Sequence, residues 1–196
     1  MKYKNIVFDF GNVLAMFDTE RLVRTYYQEE SDFEIVKDKL FYDWDLLDSG
    51  RIDYEDYMDN VENMLPKHLI PAFRQIRNEW YMHLDPIRGT WKLIHDLKEN
   101  GYKLYILSNA PTFFAKHASY YNIVNKFDGI VFSGPIKLAK PEPEIYQYLF
   151  DKFDLIPEEC LFLDDKEINI NASKELGMDG IVFTPEKLDG IRELLL

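Results

Sequence analysis

Cysteine occurs once, at Cys160, so no internal disulfide can form. The thiol lies inside the apolar run Cys160-Leu161-Phe162-Leu163, where it reads as a small buried hydrophobe rather than a nucleophile. Apolar runs long enough to span a bilayer are missing too. Met1-Lys2-Tyr3-Lys4 leads straight into a short strand pattern without a secretory n-region or h-region, so a cytoplasmic location is expected. Positive charge is scarce: 23 Lys and Arg face 35 Asp and Glu, a formal net charge of −12. Such a surface repels nucleic acid and anionic membrane, so neither is expected as a partner. An anionic ligand would need a local positive site. No internal repeat, low-complexity stretch or linker is evident, and the oligomeric state is not legible.

What is present suffices for one core with a small accessory lobe: 196 residues, 46% of them hydrophobic, with 13 Tyr and 14 Phe. Ile6-Val7-Phe8 reads as a buried strand ending at Asp9. From about Asp18 to Asp85 no comparable β-branched run occurs. Instead Phe33, Val36, Leu40 and Trp44 recur at helical spacing. After Ser49-Gly50-Arg51, Asp53 is placed to cap a helix whose buried face is Tyr54, Tyr57, Met58 and Val61. The aromatic residues Phe41, Tyr42, Trp44, Tyr54 and Tyr57 read as the core of this helical insert, with room for one or two at a substrate entrance.

After Pro86 the pattern alternates. Ile87, Trp91 and Ile94 line a helix that Asn100-Gly101 ends. Strands are predicted at Lys103–Leu107, Gly129–Phe132, Cys160–Leu163 and Gly180–Phe183. Helices are predicted at about Thr112 to Tyr121, Pro143 to Phe153, Glu167 to Leu176 and Glu186 to Leu195. This alternation implies a Rossmann-like α/β fold: a parallel sheet with right-handed crossovers, to which the first strand also belongs. The expected organisation is a core of residues 1–14 and 86–196, with a helical cap of residues 15–85 inserted between.

Ligands of open parallel sheets bind beyond the carboxyl ends of the strands. Asp9 follows the first strand, Ser108-Asn109 the second, Lys140-Pro141 the third after a short loop, and Asp164-Asp165 the fourth. Each alone has a plain structural reading: a strand-end acid, a helix cap, a solvated lysine before a turn, acids opening a helix. Four at successive strand ends point to one shared site. The four histidines, His68, His83, His95 and His117, have no metal-ligand spacing and read as surface or packing residues.

Together FDFGNVL at 8–14, LSN at 107–109, KPEPEIY at 140–146 and FLDD at 162–165, with Asn169 beyond, resemble the haloacid dehalogenase superfamily. Within it the DFGN pattern and short cap look most like the sugar-phosphate phosphatases of the glucose-1-phosphate type. The resemblance implies a Mg²⁺-dependent phosphatase acting on a small phosphorylated substrate, with Asp9 as the implied nucleophile. Asp9, Asp165 and the Gly11 carbonyl would hold the metal, with Asp164 beside them. Ser108, Asn109 and Lys140 would hold the phosphoryl group, Lys140 also offsetting charge during the reaction. The chemistry is consistent: a carboxylate is repelled by a phosphate dianion unless a divalent cation stands between them.

One position departs from the pattern. Most phosphatases of this kind carry a second Asp two residues after the nucleophile, to protonate the leaving oxygen and then activate water. Here that place is Gly11. A good leaving group could make the acid dispensable, or a cap residue or ordered water could replace it; Asn12 and Asp18 are close in sequence. Otherwise the protein is a phosphometabolite-binding or regulatory protein on the same scaffold. A phosphotransferase or a dehalogenase relative are the remaining alternatives.

Overall fold

The first strand, β1 (Asn5–Phe8), is buried on both faces and lies at the centre of a five-stranded parallel sheet. The structure, a computed structural model, describes residues 2–196; Met1, the first residue of the expected core segment, lies outside the described residues. In chain order the other strands are β2 (Ala15–Met16), β3 (Asp85–Pro86), β4 (Lys103–Ser108), β5 (Gly129–Phe132), β6 (Cys160–Asp164) and β7 (Asp179–Val182). The sheet order is β5-β4-β1-β6-β7, while β2 and β3 pair antiparallel in a separate ribbon.

Side chains alternate across a strand, so β1 feeds two apolar layers. Ile6 and Phe8 join Leu104, Ile106, Leu161 and Leu163 on one face, with Leu93 and Leu97 of α6 (Arg88–Glu99) and Ile191 of α11 (Leu188–Leu195). Val7, Leu107 and Phe162 point the other way. They meet Ile145 and Leu149 of α9 (Pro143–Phe153) and Ile170 of α10 (Glu167–Glu175). Helices on both faces explain why these strands read as continuous apolar runs rather than alternating ones.

Between β2 and β3 the chain forms five helices: α1 (Thr19–Tyr26), α2 (Glu30–Phe41), α3 (Trp44–Asp48), α4 (Tyr54–Met64) and α5 (Ile70–Glu79). The face expected for α4 is the buried one: Tyr54, Tyr57, Met58 and Val61. Asp53 precedes that helix but its side chain makes no capping bond. Trp44 does not continue the Phe33, Val36 and Leu40 face. The chain breaks at Asp43, whose carbonyl accepts from Leu46 N–H (3.0 Å) and so starts α3. At this turn Trp44 packs against Phe17, Phe41, Tyr57 and Trp80, an aromatic cluster with ring centroids 5.0–6.1 Å from Trp44. Tyr42, by contrast, is 78% exposed.

Two short helices, α7 (Thr112–His117) and α8 (Ser133–Ile136), complete the core. The segment after Thr112 is shorter than its pattern suggested, because a 3₁₀ turn at Ala118–Tyr120 follows α7. A 3₁₀ turn at Pro185–Lys187 likewise precedes α11, so that helix begins at Leu188. Among the described residues no helix is long and apolar enough to cross a membrane.

Candidate active site

The sheet brings the ends of β1, β4 and β6 to one rim. Asp9 follows β1 directly, and its backbone N–H still donates to the Leu163 carbonyl of β6 (2.9 Å). Its Oδ1 accepts from Phe10 N–H (2.7 Å) and lies 3.0 Å from the Lys140 ammonium. Lys140 is 5% exposed. Its Nζ also donates to Asp164 Oδ2 (2.6 Å) and to the Leu107 carbonyl (2.9 Å). The loop carrying Lys140 is held from β4: Asn109 Nδ2 donates to the Lys140 carbonyl and Asn109 Oδ1 accepts from the Lys140 N–H. Buried Ser108, the last residue of β4, accepts weakly from Phe10 N–H at 3.4 Å.

The two acids after β6 differ. Asp164 is fully buried, and Lys166 N–H (2.8 Å), Asn169 Nδ2 (2.9 and 3.0 Å) and Lys140 occupy its oxygens. Asp165 is half-buried and accepts from Asn12 Nδ2 (2.9 Å). Asn12 adopts a left-handed conformation (φ 57°), which Asn tolerates better than most residues, and its Oδ1 accepts from Phe17 N–H (3.2 Å). Asn12 thus orients Asp165. Asp18 caps α1 through Arg21 N–H (2.8 Å). Both residues near Gly11 in sequence therefore have structural work.

Charge is concentrated here. Burial pushes the Asp9 carboxyl up to about 6; Lys140 opposes this and Asp164 adds to it. Burial works against the Lys140 ammonium, yet Asp9 and Asp164 outweigh it and raise its pKa, so the lysine stays charged. Carboxylate oxygens of Asp9, Asp164 and Asp165 all lie within 4.8 Å of one another. Three carboxylates face one buried ammonium, so a divalent cation would bring the cluster to neutrality. The donor set is hard oxygen, which suits Mg²⁺. The Gly11 carbonyl fits the same use, as no hydrogen bond among the described residues reaches it.

A cleft of about 340 Å³ opens beside the cluster, lined by polar residues including Asn109, Lys140, Arg51 and Lys166. A smaller cavity of about 50 Å³ lies next to Gly11 and Ser108. Cys160 is fully buried at the opposite end of β6, and burial pushes its thiol up to about 11; it takes no part in the site.

A Rossmann-like sheet with acids at the ends of adjacent strands, a buried lysine between them and a helical insert after the first strand defines a capped hydrolase. Residues 3–177 match the family described as haloacid dehalogenase-like hydrolase, and the chain belongs to that family. It is 27% identical over 194 residues to a D-ribitol-5-phosphate phosphatase of Bacteroides thetaiotaomicron, covering 93% of this chain and 92% of that one. It is 29% identical over 187 residues to a sesquiterpene phosphatase of Aspergillus oryzae, covering 93% and 90%. Among solved structures it resembles a haloacid dehalogenase family enzyme of Bacteroides thetaiotaomicron in complex with magnesium and inorganic phosphate. The TM-score is 0.74 and the identity 26%, with 93% and 95% of the two chains covered.

Proposed function

We propose that the protein is a Mg²⁺-dependent phosphoric monoester hydrolase acting on a small phosphorylated metabolite, a sugar or polyol phosphate, through a phosphoryl group carried on Asp9. The observation that carries this reading is the buried meeting of Asp9, Lys140 and Asp164 at the rim of the sheet, with Asp165 within reach of the same ion. Phosphatases among the relatives, and a related enzyme holding magnesium and phosphate, support it.

Asp9 and Asp165, with the Gly11 carbonyl, would hold Mg²⁺, and Asp164 would support them while anchoring Lys140. The bound ion would screen the phosphate from the carboxylates and polarise its oxygens. Asp9 Oδ1 is fixed by Phe10 N–H and Lys140, which leaves Oδ2 to meet phosphorus. Ser108 and the Asn109 N–H would hold the phosphoryl oxygens, and the Lys140 ammonium would offset their charge. The helical segment of about residues 15–85 would cover the site and select the substrate, moving as a lid between turnovers.

The cleft favours a hydroxylated substrate over a terpenoid one. Its volume falls within the roughly 300–1,000 Å³ of small-ligand pockets, and its charged and amide side chains suit sugar hydroxyls. The apolar cavity beside Gly11 is too small for a terpene chain. A panel of sugar and polyol phosphates, including ribitol 5-phosphate, assayed for phosphate release with Mg²⁺ and with EDTA, tests the reading. Mg²⁺-dependent release from at least one ester is expected. Tight binding without release across the panel would favour a phosphometabolite-binding protein instead.

A further inference from the structure

Breaking a phosphate ester of an alcohol leaves an alkoxide unless a proton reaches the departing oxygen. Gly11 has no side chain to give one, Asn12 cannot donate as an acid, and Asp18 is committed to capping α1. A Cβ added to Gly11 would meet nothing within 4 Å, so the place beside it is open. That space belongs to the small cavity, which Phe17, Trp44 and Trp80 wall on the cap side and Gly11 and Ser108 on the core side. Among its lining residues one side chain is titratable: Asp48, the last residue of α3. Asp48 also lines the larger cleft, together with Asn109 and Lys140, so it stands where the two spaces meet.

In the arrangement of this structure the core holds Asp48 in place. Ser133 Oγ of α8 donates to the Asp48 carbonyl, and the same hydroxyl accepts from Ala110 N–H (2.8 Å), two residues beyond Ser108. Gly50 (φ +70°) lies so close to α8 that a Cβ there would stand 2.4 Å from the Gly134 carbonyl oxygen. Arg51 then reaches Glu142, beside the Lys140 loop, at 2.7 Å. The turn after α3 is thus docked directly on the strand ends that carry the site.

From this geometry we infer that Asp48 is the acid and base that Gly11 lacks, supplied from the cap. The inference rests on the phosphatase reading above. In the first half-reaction an Asp9 oxygen bonds to phosphorus, the P–O bond to the alcohol breaks, and the departing oxygen takes the proton of the Asp48 carboxyl. In the second, the Asp48 carboxylate takes a proton from water as the water oxygen bonds to phosphorus and the bond to Asp9 breaks. Free alcohol and inorganic phosphate result, and both acids return to their starting forms. The surroundings of Asp48 suit a proton donor. Burial drives its pKa well above the ordinary value; Asp45 on its own helix and Asp9 add to this, while Lys166 and the Trp44 side chain oppose it. Lys140, Arg51 and Glu142 are the other charged groups lining the cleft it faces.

A proton donor matters in proportion to how poorly the leaving group departs, which gives the test. In kcat/KM, which reports the first phosphoryl transfer, wild type and Asp48→Asn are compared on p-nitrophenyl phosphate and on the sugar or polyol phosphate that wild type hydrolyses fastest. The expected loss is ~10²–10⁴-fold on the alkyl ester and within ~10-fold on the aryl ester, whose leaving group needs little help. Adding Gly11→Asp to Asp48→Asn should recover part of the alkyl-ester activity, since a side chain fits there. Equal losses on both esters, or no loss on the alkyl ester, overturn the role of Asp48 while leaving the phosphatase reading intact. Wild-type hydrolysis confined to the aryl ester overturns it as well. Absence of hydrolysis of every ester by wild type removes the phosphatase reading, and this inference with it.

Discussion

Asn109 grips the backbone of Lys140 from both sides: its Nδ2 donates to the Lys140 carbonyl at 2.8 Å and its Oδ1 accepts from the Lys140 N–H at 2.9 Å. The loop that delivers the buried ammonium is therefore registered against the end of β4. Lys140 joins Pro141 through a cis peptide bond at this point.

Removing that grip should displace the ammonium without removing it. Asn109→Ala is expected to lower kcat by ~100-fold, the scale of a small misplacement of a positioned group. Steady-state kinetics with Mg²⁺ on p-nitrophenyl phosphate, alongside a melting curve, separates this from unfolding.

Lys140 stands between two buried carboxylates, at 3.0 Å from Asp9 and 2.6 Å from Asp164. Lys140→Met would leave both without their cation. In EDTA the variant should lose about 3–5 kcal/mol of stability, the usual consequence of unpairing buried charge. Mg²⁺ should restore part of that loss if the acids share an ion. Urea unfolding with and without the metal reads both effects.

Metal-free stability should depend on pH through Asp9, whose carboxyl is pushed up from 3.8 to about 6 by burial. Between those values the folded protein binds more protons than the unfolded chain, so stability falls as pH rises through the window. The sign is that of a carboxylate penalised for ionising: the contribution is fully present below the unfolded value and lost above the folded one. The size is about 3 kcal/mol at ~1.4 kcal/mol per pKa unit. Asp9→Asn cannot titrate, so in EDTA it should melt above wild type near neutral pH, with the gap closing toward about pH 4. Thermal melts across that range, with both proteins in EDTA, measure it.

Much of the fold was legible because local and long-range demands agree. Pro143 opens a helix that ends at Phe153, and the apolar runs at β1, β4, β5 and β6 are the strands they resemble. Since parallel strands end on one rim, Asp9, Ser108 and Asp164 had to meet once the alternation was read. What local pattern hid depends on docking between distant segments. The break between α2 and α3 has no glycine or proline to mark it; it is set by Trp44 packing into the aromatic cluster around Phe17 and Trp80. Asn109 reads as a helix cap or as a backbone donor to phosphate; that its side chain holds the Lys140 loop has no local signal, because the two lie 31 residues apart in the chain. Nothing in Asp48-Ser49-Gly50 distinguishes Asp48 from other surface acids. Its place follows from Gly50 lying against Gly134 and from Ser133 reaching its carbonyl.

The central claim is that phosphorus is transferred to Asp9. Wild type mixed with p-nitrophenyl phosphate and Mg²⁺, quenched in acid and peptide-mapped by mass spectrometry, should carry a phosphoryl group on the peptide containing Asp9, and Asp9→Asn should show neither that adduct nor turnover. Undiminished hydrolysis by Asp9→Asn, or a phosphoryl group found only on another peptide, would contradict the account.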